Sequence, residues 1–254
     1  MLFLSAGADS GAYTNSWVDW SGTVFGSGAG CTTETADPFV VNGVSQGNYL
    51  AATAYPMAFL SNPVSASAQG IWLGFLMRPQ APDTWAGGGH LLADTSLPAD
   101  PRNTQFAGMA GWWGNNMQVR LGGPMYGTSI DGYTVADGEN IAVLAHFYDT
   151  GSSGTFNTGD LYVDANLTDG VSLGSPLVSG FVLEGALTTI GSLRLAADPV
   201  SPETRNYDNI LVVTTAEEAL AGLNTGVVAI PEPTTLTLCA LSGLGALLYV
   251  RRRK

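Results

Sequence analysis

The stretch Ile71-Trp72-Leu73-Gly74-Phe75-Leu76-Met77-Arg78 decides the fold. Read at the two-residue period of a β-strand, it puts Ile71, Leu73, Phe75 and Met77 on one face and Trp72 and Leu76 on the other. A strand that is apolar on both sides is best placed in the centre of a sheet, and Asn140–Tyr148 reads the same way. Further strand-like runs lie at 17–25, 38–44, 49–55, 105–113, 117–121, 161–166, 187–196 and 207–214. Between them stand Ser27-Gly28-Ala29-Gly30, Gly87-Gly88-Gly89, Gly122-Gly123-Pro124 and Gly151-Ser152-Ser153-Gly154, residues suited to chain reversal. Reversals this frequent fit antiparallel pairing. Helical periodicity is missing before residue 215, which argues against βαβ crossovers and leaves an all-β, two-sheet sandwich.

One short helix is encoded near the end of the domain, where Thr215 stands three residues ahead of Glu218 at the capping-box spacing. The domain is expected to occupy residues 1–222, and the uncharged stretch Leu223–Ile230 reads as a linker.

Composition agrees with a folded, turn-rich β protein: of 254 residues 33 are glycine and 12% are charged. Four of the nine basic residues end the chain, and Glu232 is the only one of 21 acidic residues beyond position 230. Residues 1–230 therefore hold five arginines against 20 carboxylates, a formal charge of −15. Nucleic acid and anionic lipid both require clustered Lys/Arg, so neither is an expected partner of this domain. Cys31 and Cys239 lie in different parts of the chain and form no disulfide framework. At the N-terminus, Leu2-Phe3-Leu4-Ser5-Ala6 reads as the end of a longer export segment.

The tail from 231 to 254 is the strongest functional signal. Pro231-Glu232-Pro233 is followed by a run without charge to Val250 and then by Arg251-Arg252-Arg253-Lys254. A helix over about 233–250 would be roughly 27 Å long at about 1.5 Å per residue, enough to cross a bilayer core. The basic cluster acts as a stop and places the C-terminus in the cytoplasm, with the acidic domain on the far side.

This order of motif, apolar span and basic end resembles the PEP-CTERM sorting signal of Gram-negative bacteria. The resemblance covers 231–254 and implies recognition at Pro231, Glu232 and Pro233 by an exosortase. It further implies transient anchoring in the inner membrane and transfer of the domain to the cell surface or matrix. A second resemblance rests on Tyr207-Asp208-Asn209-Ile210-Leu211-Val212-Val213-Thr214-Thr215 and the helix after it, with the pair at 141–149 and 161–166. These look like the closing strand and preceding hairpin of LamG-like, concanavalin-type jelly rolls, which implies a jelly-roll-like sandwich and, by analogy, carbohydrate binding.

A laminarinase-type enzyme on such a fold uses carboxylates arranged as Glu-x-Asp-x-x-Glu, and that pattern is missing. Asp160/Asp164 and Asp137/Glu139 are the nearest pairs with even spacing. Calcium is a better use for the acids, because it takes several oxygen ligands: Asp160, Asp164, Asp208 and Asn209 are the primary candidates, with Asp149 and Asp169 behind them. His90 and His146 stand apart with no zinc or nucleophile motif and read as structural. Sugar rings stack on Trp and Tyr, so Trp85, Trp113 and Tyr126 are candidate glycan contacts. The sequence thus describes an exported, non-enzymatic, exopolysaccharide-associated protein, with a glycoside-active enzyme on the same fold as the alternative.

Overall fold

A computed structural model describes residues 3–5, 17–18, 31–52, 56–78, 88–93, 106–113, 116–120, 128–129, 138–196 and 205–225. In chain order its strands are β1 (Phe3–Ser5), β2 (Trp17–Val18), β3 (Cys31–Glu34), β4 (Val40–Val41), β5 (Val44–Ser45), β6 (Tyr49–Ala52), β7 (Met57–Ser65), β8 (Ile71–Arg78), β9 (Gly88–Leu92), β10 (Phe106–Trp113), β11 (Asn116–Arg120), β12 (Thr128–Ser129), β13 (Ile141–Tyr148), β14 (Phe156–Asp164), β15 (Val178–Leu187), β16 (Thr189–Ala196) and β17 (Arg205–Val213). A 3-10 turn, Leu167–Asp169, follows β14, and helix α1, Ala216–Thr225, follows β17.

Sheet one runs β15-β14-β13-β8-β17-β6-β3, with β1 beside β6 on the free side of β17; sheet two runs β12-β11-β10-β9-β16-β7-β2. All pairings are antiparallel, and β4–β5 is a separate hairpin. From β6 to β9 and again from β15 to β17 consecutive strands alternate between sheets, while β13-β14-β15 and β10-β11-β12 run as meanders. This is an all-β, antiparallel, jelly-roll-like sandwich.

The central position expected for β8 is observed, between β13 and β17, with all eight of its residues buried. Ile71, Leu73, Phe75 and Met77 enter the core between the sheets with Leu91, Leu193, Leu195, Val143 and Phe147. Trp72 and Leu76 point the other way, into a second core with Leu144, Leu211, Val213, Phe39, Val41, Leu167 and the α1 residues Ala219 and Leu223. The capping box forms in altered shape: Thr215 Oγ1 accepts from Glu218 N, while Glu218 Oε2 accepts from Thr214 N and Oγ1.

Several readings change. Gly88 and Gly89 are strand residues of β9, not a turn. A Cβ on Gly89 would stand 2.8 Å from Leu73 Cδ2 and 2.9 Å from Phe75 Cε1, so the glycine lets sheet two approach β8. Strand β7 carries Pro63, which disguises it in sequence; the proline falls in an irregular stretch between the pairs Ile190↔Val64 and Ser192↔Phe59, where no ladder bond is required of it. Phe3–Ser5, expected to end an export segment, pairs with β17. Leu223 to Thr225, expected in the linker, belong to α1, and Leu223 is fully buried. Among the described residues no helix is long and apolar enough to cross a membrane; the expected span and its flanks, 231–254, lie outside them.

Candidate functional site

Helix α1 packs over β17 and β8, and beyond it the outer face of sheet one carries polar and aromatic side chains along β13 and β14. Register brings them together. His146 lies opposite Trp72 on β8 and opposite Asp160 on β14; Tyr148 lies opposite Thr158, which lies opposite Val182 on the edge strand β15. His146 stacks on Trp72 with ring centroids 4.4 Å apart and on Tyr148 at 4.6 Å, and Tyr162 leans on Trp72 at 5.7 Å. Because both faces of the imidazole are covered, His146 offers only an edge, and the terminal ring of the stack is Tyr148. Val182, 74% exposed, continues the apolar surface on β15.

The polar groups are held in place from the backbone. His146 Nε2 lies 2.8 Å from Gln69 O, and since a carbonyl only accepts, Nε2 carries a proton. Nδ1 then faces Asp160 Oδ2 at 3.8 Å. Asp160 Oδ1 accepts from Gly180 N at 2.7 Å, where positive φ in the edge strand turns the amide toward it. Burial pushes the Tyr148 phenol above its ordinary range, and the charge and hydrogen bond of Asp160 push it further. Tyr162 is raised by burial and then by the charge of Asp160. Both phenols thus stay protonated near neutrality and can donate hydrogen bonds. Partly exposed ring, anchored carboxylate and neutral hydroxyl together match the two sides of a sugar, its C–H face and its hydroxyl edge.

The residues expected to bind calcium do not meet at one point. Asp164, Ala142, Leu76 and Asp208 fall in a single row across β14, β13, β8 and β17, which puts the two carboxylate-bearing strands about 14 Å apart at about 4.8 Å per strand. Asp164 accepts from Asn166 N, Ser172 N and Ser172 Oγ. Asp208 is buried beneath α1 and accepts from Asn209 N, and Asn209 donates to Gln46 Oε1 and Leu223 O. Asp149 organises the loop after β13: burial favours its protonated form, but hydrogen bonds from Ser153, Gly154 and Asn157 outweigh that and hold its carboxyl below the ordinary range. Asp169 sits in the 3-10 turn. Among the described residues no three His, Cys, Asp or Glu side chains gather as a metal group.

Asp160 and Asp164 also make a poor hydrolytic pair. Four residues of strand separate their backbones by about 13 Å, and each carboxylate is held by its own donors, Asp160 by Gly180 N and Asp164 by Asn166 N and Ser172, rather than turned toward the other. Of the expected glycan contacts, Trp113 lies on β10 opposite Asn116, whereas Trp85 and Tyr126 fall outside the described residues. Pro231, Glu232, Pro233 and Arg251, Arg252, Arg253 and Lys254 also fall outside them.

His90, read as structural, is tied to the neighbouring strand of sheet two. Arg194 Nε donates to His90 Nδ1 at 3.0 Å, so the proton of this neutral imidazole is on Nε2. The register row of sheet two then reads Arg194, His90, Met109, Arg120, which aligns two of the five arginines of residues 1–230. Sequence reading missed Trp72, His146, Tyr148 and Tyr162 as a group. The spacings His146/Tyr148 and Asp160/Tyr162 show that each pair shares a face, but only register joins the pairs.

Fold and site together define a jelly-roll-like sandwich with an aromatic and acidic patch on one outer face. No protein-family model matches the chain, and no curated protein matches it. Among solved structures it is similar to the globular domain of T. cruzi calreticulin, at 10% identity and TM-score 0.47 over 75% of this chain and 82% of that one. It is also similar to the alginate lyase Aly36B, at 10% identity and TM-score 0.42 over 74% of this chain and 97% of that one. Neither likeness is close enough to carry a ligand or an activity to this chain.

Proposed function

We propose that this chain is an exported, non-enzymatic, glycan-associated protein that holds polysaccharide on the outer face of sheet one. The stack of Trp72, His146 and Tyr148 beside the anchored Asp160 carboxylate is the observation that supports this most directly. The test is retardation of the full chain in gels cast with neutral glucans and, separately, with uronate polymers. Tyr148→Ala and Asp160→Asn are each expected to lower apparent affinity at least tenfold, and Tyr148→Phe to keep most of it. Sugar release from any polymer would instead establish the glycoside-active alternative. Retention lost in Arg120→Ala but kept in Tyr148→Ala would move the site to sheet two.

The delivery proposal rests on the tail. Pro231-Glu232-Pro233, the uncharged run after it and the cationic end support sorting by an exosortase with a transient stay in the inner membrane. Alanine at all three motif positions is expected to leave the precursor full length in a host carrying exosortase; unchanged processing removes this part of the reading.

A further inference from the structure

The segment Asp164-Ala165-Asn166-Leu167-Thr168 contains the single Asn-x-Ser/Thr triplet of the chain, and an acid stands two residues before the asparagine. That triplet is what asparagine-directed oligosaccharyltransferases read, and it is useful only where the amide reaches the surface outside the cytoplasm. Ala165, Asn166 and Thr168 are all exposed, immediately after β14. The amide is also held in a defined turn. Asn166 Oδ1 accepts from Thr168 N at 3.4 Å, Asp164 Oδ1 accepts from Asn166 N at 2.9 Å, and Leu167 anchors the turn by packing into the second core while its carbonyl accepts from Asn42 N at 2.8 Å. Among the described residues no hydrogen bond engages Asn166 Nδ2, so substitution there breaks none of the contacts that build the domain.

We infer that Asn166 is an N-glycosylation site whose co-substrate is an oligosaccharide carried on a polyprenyl diphosphate. Asn166 Nδ2 attacks C1 of the first sugar, forming the N–C1 bond. The C1–O bond to diphosphate breaks and the polyprenyl diphosphate leaves with its electron pair. One Nδ2 proton passes to a base on the transferase. The Asn166 turn presents the acceptor amide and the Thr168 side chain together, and the buried Leu167 between them stays in the core. This inference rests on the export reading, because the transferase works on the outer side of the membrane.

The experiment expresses the full chain in a bacterium that supplies such a transferase and its lipid-linked oligosaccharide. One version starts at Met1 and another carries an added signal peptide. In the signal-peptide version, intact mass is expected to rise by one glycan, peptide mapping to place it on Asn166, Asn166→Gln and Thr168→Val to abolish it, and Thr168→Ser to retain it. An unmodified Asn166 in the exported, folded signal-peptide version overturns the inference. Modification in that version with none in the other would preserve the inference and show that residues 1–254 do not direct export by themselves in that host.

Discussion

Asn209 shows how much of the architecture one residue can carry. Between the pairs Leu76↔Asp208 and Gly74↔Leu211, β17 uses three steps where β8 uses two, so one residue is extra. The added residue reverses which side chains face inward: Tyr207 enters the inter-sheet core, and so do Ile210 and Val212 after the bulge. Asn209 absorbs the insertion at φ 46°, a conformation that Asn tolerates better than most residues, and its Nδ2 ties the Gln46 side chain and the Leu223 carbonyl of α1 to the sheet. Asn209→Ala loses both hydrogen bonds and suits the backbone less well, for an expected cost of about 2–4 kcal/mol. Asn209→Gly loses the bonds but accommodates the positive φ and should cost less. Chemical denaturation of the three proteins measures the difference, and equal midpoints for the two variants would contradict the backbone part of the argument.

At the scale of elements, β9 joins the sheets by omission, since the missing side chain of Gly89 is the space that Leu73 and Phe75 fill. Gly89→Ala forces a methyl group into that fully buried contact and is expected to destabilise by about 1–3 kcal/mol, read as a lowered denaturant midpoint with unchanged slope. An unchanged midpoint would mean the sheets are not in contact there. The same strand marks a limit of sequence reading. Three glycines in a row look like a turn because glycine permits reversal, yet glycine is equally what a close approach of two sheets demands, and local composition does not separate the two uses. By contrast, β8 and β13 were legible as central strands, because each is an almost continuous apolar run, with Arg78 at the end of one and His146 the single polar side chain within the other. The helix was legible through Thr215 and Glu218, but its end was not, since Leu223 is recognisable as core only once the sheet beneath it is known.

For the whole molecule, the sandwich could be read from alternation and turns, whereas the candidate site could not. Asp160 drew attention as an oxygen ligand for calcium and, separately, for its even spacing to Asp164, but what surrounds it is decided by which strands are neighbours, and β8 joins the β13–β14 hairpin from more than sixty residues earlier in the chain. The same arrangement governs the order of assembly. Strand β8 lies between β13 and β17, and among the described residues β1 pairs with β17, so the middle of sheet one waits for the last of the described strands. Contacts of such long sequence separation slow folding. A chain that cannot close its central sheet until residue 213 has emerged remains threadable for most of its synthesis, the state a narrow translocation channel requires.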